Sequence, residues 1–61
     1  MTREQAMAAA VKILQDDPTN FVMRSCWNCN PAHEHLKERA VVLRCFACGR
    51  VFYKGIDVTS D

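Results

Sequence analysis

The sequence contains no run approaching the roughly 18 consecutive apolar residues that a membrane-spanning helix requires. It has no low-complexity segment, and no linker long enough to divide it into domains. Glycine occurs twice, so there is no glycine-rich loop to cradle phosphate. No Ser/His/Asp arrangement and no carboxylate pair with an evident shared site is present, and the expectation is a protein without enzymatic activity. A strong charge of either sign is also missing. The net is −1 over residues 1–19 and +2 over residues 20–61. Four thiolates around one Zn²⁺ would bring the second segment to about zero, which is no footprint for tight nucleic-acid binding.

The opening residues, Met1-Thr2-Arg3-Glu4-Gln5, are polar and mixed in charge, and Lys12 interrupts the apolar stretch Ala6–Leu14. This does not read as a secretory leader, so a cytoplasmic location with reduced thiols is expected. Hydrophobic residues make up 49% of the chain, too many for intrinsic disorder. Sixty-one residues, however, bury too little surface for comfortable stability without a staple. Four cysteines are the available means, and in a reducing compartment they point to a metal before disulfides.

Thr2 and Gln5 have the spacing of a capping box, and strong helix formers follow, including three alanines at 8–10. Met7, Val11 and Leu14 recur at i, i+4 and i+7 with Ala10 and Ile13 beside them, giving one apolar face. Asp17-Pro18 ends the pattern, because a residue before proline is pushed out of the helical region. A helix over about 3–16 is predicted. Phe21–Arg24, Val41–Arg44 and Val51–Lys54 read as β-rich runs. Gly55 would bulge or end the last run, or Ile56-Asp57-Val58 would prolong it. Pro31–Arg39 reads as a polar loop with a helical turn through His35–Arg39, and 59–61 as a frayed end.

Cys26 and Cys29 form one C-x2-C pair, Cys45 and Cys48 another, with fifteen residues between them. Two intervening residues let both thiolates of a pair meet one ion across a tight turn, and two such turns complete a tetrahedron. The surroundings match as well: Cys26-Trp27-Asn28-Cys29-Asn30 against Cys45-Phe46-Ala47-Cys48-Gly49. Asn30 and Gly49 belong to the residue types that best tolerate positive φ, so two similar knuckles related by approximate two-fold symmetry are expected. With four cysteines at hand, His33 and His35 are expected to be exposed loop residues and not ligands.

Through Cys26-Trp27-Asn28-Cys29 and Cys45-Phe46-Ala47-Cys48-Gly49-Arg50 the chain resembles the zinc ribbon family over about residues 21–58. That resemblance implies one structural Zn²⁺ held between two hairpin-like knuckles. Asn30-Pro31 departs from the commoner glycine after the first knuckle. The nearest rival, a treble clef, usually places a helix after the second pair, where this chain has Val51-Phe52-Tyr53. The expected fold is α+β in a single domain, the helix packed on a three-stranded antiparallel ribbon.

Other readings of the same residues stay open. A rubredoxin-like site would hold iron in the same four-thiolate geometry, and thiol redox chemistry at the first pair is a weaker alternative. Trp27 and Phe46 either fold back over the metal or stand out as contacts for a protein partner. Packing of the helix face within the chain favours a monomer, a dimer through helix 3–16 being the alternative. Arg24, Arg44, Arg50 and Lys54 flank the knuckles, with Phe52 and Tyr53 interleaved, a pattern that would suit single-stranded nucleic acid. The leading expectation is a small adaptor or regulator acting through protein contact. Small stand-alone ribbons include regulators of transcription or replication, and this analogy rests on fold alone.

Overall fold

The computed structural model describes residues 1–59. Helix α1 spans Arg3–Asp16. Thr2 Oγ1 accepts from the Gln5 amide at 3.2 Å, and Gln5 Oε1 accepts from the Thr2 amide at 2.9 Å, so the capping box satisfies two otherwise orphaned donors. Its buried face is centred on Ala6 and Ala10, with Met7, Ala9, Ile13 and Leu14 beside them. Val11, counted on the apolar face by spacing, is 48% exposed. At 3.6 residues per turn Val11 lies about 100° around the helix from Ala10 and further from Ala6, which turns it outward.

The sheet is four-stranded in the order β1-β2-β3-β4, with β1 at Val22–Met23, β2 at Val42–Arg44, β3 at Val51–Tyr53 and β4 at Ile56–Asp57. It is mixed, which corrects the expectation of three antiparallel strands. β1 runs parallel to β2, pairing Val22 with Leu43, while β2–β3 and β3–β4 are antiparallel. A parallel pair needs a long crossover, and residues 24–41 provide it through the first knuckle, a 3-10 turn at Pro31–His33 and the short helix α2 at Leu36–Arg39.

The fourth strand arises from a tight turn. Tyr53 pairs with Ile56, leaving Lys54 and Gly55 as a two-residue loop with φ of 46° and 85°. Two positive φ values in succession give the left-handed turn that suits the twist of a hairpin. Gly55 therefore reverses the chain instead of bulging it. The end of the described chain is tied down rather than frayed: Thr59 Oγ1 accepts from the Val51 amide at 2.9 Å, and the Thr59 carbonyl accepts from Arg3 at 2.6 Å. Residues 60 and 61, read as part of a frayed end, lie outside the described residues.

Both faces of the sheet are covered, which is why adjacent residues of β2 are buried together. Val42 and its partner Tyr53 face α1 with Ala6, Ala10 and Val58. Leu43 and its partner Phe52 face the other way, onto Cys26, Cys45 and Ala40, with Trp27 and Leu36 at the margin. The sheet is thus a thin plate between a helix and a cysteine cluster.

Candidate metal centre

Parallel pairing sets the first cysteine of each knuckle. β1 and β2 run side by side, and the Arg24 amide donates to the Arg44 carbonyl at 3.3 Å, so the chains emerge together at Cys26 and Cys45. The Cys26 amide then donates to Cys45 Sγ at 3.2 Å. Each knuckle closes on its own first cysteine. The amides of Cys29 and Asn30 donate to the Cys26 carbonyl at 3.1 and 2.8 Å, and that of Gly49 to the Cys45 carbonyl at 2.9 Å. Cys26 and Cys45 are fully buried, whereas Cys29 and Cys48 lie at the surface.

The two knuckles are not equivalent. Gly49 has φ of 77°, as its residue type suggested. Asn30 does not; it is extended, at φ −140°, and its side chain accepts from the Ala32 amide at 3.1 Å to start the 3-10 turn. Pro31 is the physical reason, since a residue preceding proline is held in the extended region. The second knuckle leads into β3 and the first into a turn.

All four Sγ atoms lie within 4.8 Å of one another. Cys29 and Cys45 are 3.7 Å apart and Cys26 and Cys48 are 3.8 Å apart, both contacts crossing from one knuckle to the other. Four sulfurs placed about 2.3 Å from a common centre in a tetrahedron would be about 3.8 Å apart. A disulfide needs about 2.05 Å. The donor set and its spacing therefore fit one tetrahedral metal ion.

The clustered sulfurs also shift one another's protonation. Burial opposes ionisation of Cys45, but the amides of Cys26 and Cys48 directed at its sulfur outweigh this and bring its thiol down to about 6. Cys29 faces the sulfurs of Cys45 and Cys26 and is pushed up to about 12. At Cys48 the Arg50 amide favours the thiolate, yet the neighbouring Cys45 and burial raise its thiol above the ordinary value. A divalent cation among the sulfurs would favour the thiolate form of all four.

The flanking residues divide. Trp27 folds back, its ring centroid 4.5 Å from that of Phe52, with Lys37 Nζ 5.4 Å from its centre. Phe46, at the same position of the second knuckle, is 67% exposed. Three of the four flanking cations start from neighbouring backbone: the Arg24 amide donates to the Arg44 carbonyl, and Arg44 pairs with Val51, next to Arg50. Arg50 pairs with Asp57 at 2.7 Å, and Lys54 Nζ lies 5.6 Å from the Tyr53 ring centre. Arg44 lines a groove beside Leu14, Phe21 and Val51, while Arg24 lines a different pocket with His33 and His35. Neither histidine joins the sulfur cluster. His35 is exposed, but His33 is half-buried against Ser25, contrary to the expectation of an open loop residue.

Sequence reasoning missed the groove, a cleft of about 340 Å³ between the end of α1 and the sheet. Its residues come from separate segments, so no local pattern marks it. Among the described residues no helix is long and apolar enough to cross a membrane. Comparison with protein-family models, with curated proteins and with solved structures finds no match for this chain, and the reading of its function rests on the site itself.

Proposed function

We propose that the four cysteines hold one structural Zn²⁺ and that the closed module is a non-catalytic adaptor or regulator acting through contact with a protein partner. The observation that carries the metal assignment is the spacing of the sulfurs, 3.7 and 3.8 Å between knuckles. Cys26, Cys29, Cys45 and Cys48 would supply all four ligands and leave no open coordination position, the arrangement of a structural zinc and not a catalytic one.

Protein contact is favoured by the exposed Phe46 ring, an apolar anchor standing beside a rigid metal knuckle. Direct nucleic-acid binding is the weaker alternative, because the net charge is only +1 and Arg50 is already paired with Asp57. Regulation of transcription or replication is the setting in which such a module would act, and it rests on analogy of fold.

The test begins with elemental analysis of protein purified under reducing conditions without added metal. One zinc per chain is expected; iron would redirect the reading to electron transfer, and absence of metal would refute it. A photo-crosslinking residue at position 46 then captures the partner in cells. The purified partner should bind the native chain and lose affinity for Phe46→Ala. Equal affinity for both would remove Phe46 from the interface.

A further inference from the structure

His33 and His35 lie outside the sulfur cluster, yet both rings are held in a defined state. His33 Nδ1 is 2.8 Å from the Ser25 carbonyl oxygen and 2.9 Å from Ser25 Oγ. A carbonyl oxygen only accepts, so Nδ1 carries the proton and the lone pair of the neutral ring sits on Nε2. His35 repeats the arrangement, with Nδ1 3.2 Å from the Ala32 carbonyl oxygen. Fixing the tautomer through a backbone carbonyl on the far nitrogen is how metal-binding imidazoles are commonly oriented.

The rings lie close enough for a small side-chain rotation to bring them onto one ion. The centroids are 6.1 Å apart and the planes meet at 85°. An ion about 2.0–2.1 Å from the Nε2 atoms of two imidazoles holds their ring centres about 4.5 Å apart at a right-angled N–metal–N angle, about 5.2 Å at a tetrahedral one and about 6.4 Å at a linear one. The two rings must therefore draw together by about 1 Å to share a tetrahedral ion. Both histidines line one open pocket of about 310 Å³, together with Arg24 and Leu36.

We propose that His33 and His35 form a second metal site, distinct from the cysteine cluster, for a divalent transition ion that favours imidazole, such as Ni²⁺, Cu²⁺ or Zn²⁺. Calcium and magnesium are disfavoured because both protein donors are nitrogen. Two protein ligands leave the remaining positions to solvent or an added ligand, so this ion exchanges readily, unlike one enclosed by four thiolates. The Arg24 guanidinium shares the pocket and opposes a bare cation. It weakens the site and favours an anion over water in the open positions.

The test uses the zinc-loaded chain with Ni²⁺ as a paramagnetic probe. Ni²⁺ is expected to broaden the ring and amide signals of His33 and His35 first, leaving zinc content unchanged. His33→Asn and His35→Asn each place an amide donor near the Nδ1 position while deleting Nε2. Either substitution should weaken Ni²⁺ binding roughly ten-fold or more. Broadening that survives both substitutions, that centres on the cysteines, or that fails to appear would overturn the proposal. So would phosphate shifting the pocket signals where Ni²⁺ does not, since that is the behaviour of an anion site built on Arg24. Long-range ring ¹⁵N spectra of the unsubstituted chain give a measurement independent of the variants. Protonated Nδ1 on both rings is expected, and a proton on Nε2 of either neutral ring would overturn the assignment.

Discussion

Trp27 and Phe52 meet with ring centroids 4.5 Å apart and planes tilted by 55°, which seats the first metal knuckle on the middle of β3. Phe46 holds the corresponding place in the second knuckle and stands in solvent. Two residues with the same local sequence setting therefore do different things.

Their truncation should separate them. Trp27→Ala removes a half-buried ring and its contact with a buried one, and should cost about 2–3 kcal/mol, below the full range for buried aromatics. Phe46→Ala should stay within about 0.5 kcal/mol, as for other exposed positions. Thermal unfolding of the zinc-loaded variants checks both. Equal losses would mean that Phe46 is packed as Trp27 is.

Metal removal should abolish the fold. Each side of the sheet buries only five residues, and two of the five on the cluster side are cysteines of the candidate metal centre. Chelation is expected to collapse amide dispersion across residues 21–58. A 14-residue helix is marginal alone in water, so α1 should melt with its support. Serine substitutions should grade by position: Cys26→Ser and Cys45→Ser, at the buried ligands, lose zinc more completely than Cys29→Ser and Cys48→Ser. Water can replace a missing thiolate only at the surface pair. Zinc retained per chain measures the order, and a reversed order would contradict the assigned burial.

Much of this was legible in the sequence because it is local. The capping box of Thr2 and Gln5, the stop at Pro18, the C-x2-C spacing and the β-rich runs around Leu43 and Phe52 each depend on neighbours a few residues away. The parallel pairing of Val22 with Leu43 was not legible, since nothing near either residue records the other. Asn30 was misread because its residue type was weighed without the constraint from Pro31. Val11 was misread because spacing marks a stripe, while the positions of Ala6 and Ala10 decide where its centre lies. The gathering of the four cysteines was readable by spacing, whereas the division of Trp27 from Phe46 depends on β3.

The hairpin turn offers a test of opposite signs. Lys54 occupies φ 46°, a region costly for a long side chain, while Gly55 at φ 85° is in the conformation glycine tolerates best. Gly55→Ala should destabilise by about 1 kcal/mol, because the positive φ strains any L side chain, although the new Cβ would meet Lys37 only at an ordinary 3.4 Å contact. Lys54→Asn should stabilise by a few tenths of a kcal/mol, asparagine being preferred at the first position of this turn. Paired melting curves of the zinc-loaded variants should move in opposite directions. Movement in the same direction would place the turn in another class.

Zinc binding should be strongly linked to protons, and the count reports the state of the metal-free chain. Thiolates are the ligands, so protons compete with the metal and affinity falls as pH falls. If chelation unfolds the chain, all four thiols start near the ordinary value of about 8.5 and are almost fully protonated at neutral pH. Close to four protons should then leave per zinc bound, and the logarithm of the affinity should rise by roughly four for each pH unit near neutrality. A preformed cluster would behave differently. Cys45, held at about 6 by the amides of Cys26 and Cys48, would already be ionised and contribute few protons, while Cys29 and Cys48 would still have to release theirs. Proton release measured in weak buffer with a pH indicator distinguishes the two. A count near four supports metal-driven folding, and a clearly smaller one would show that the knuckles assemble before the metal arrives.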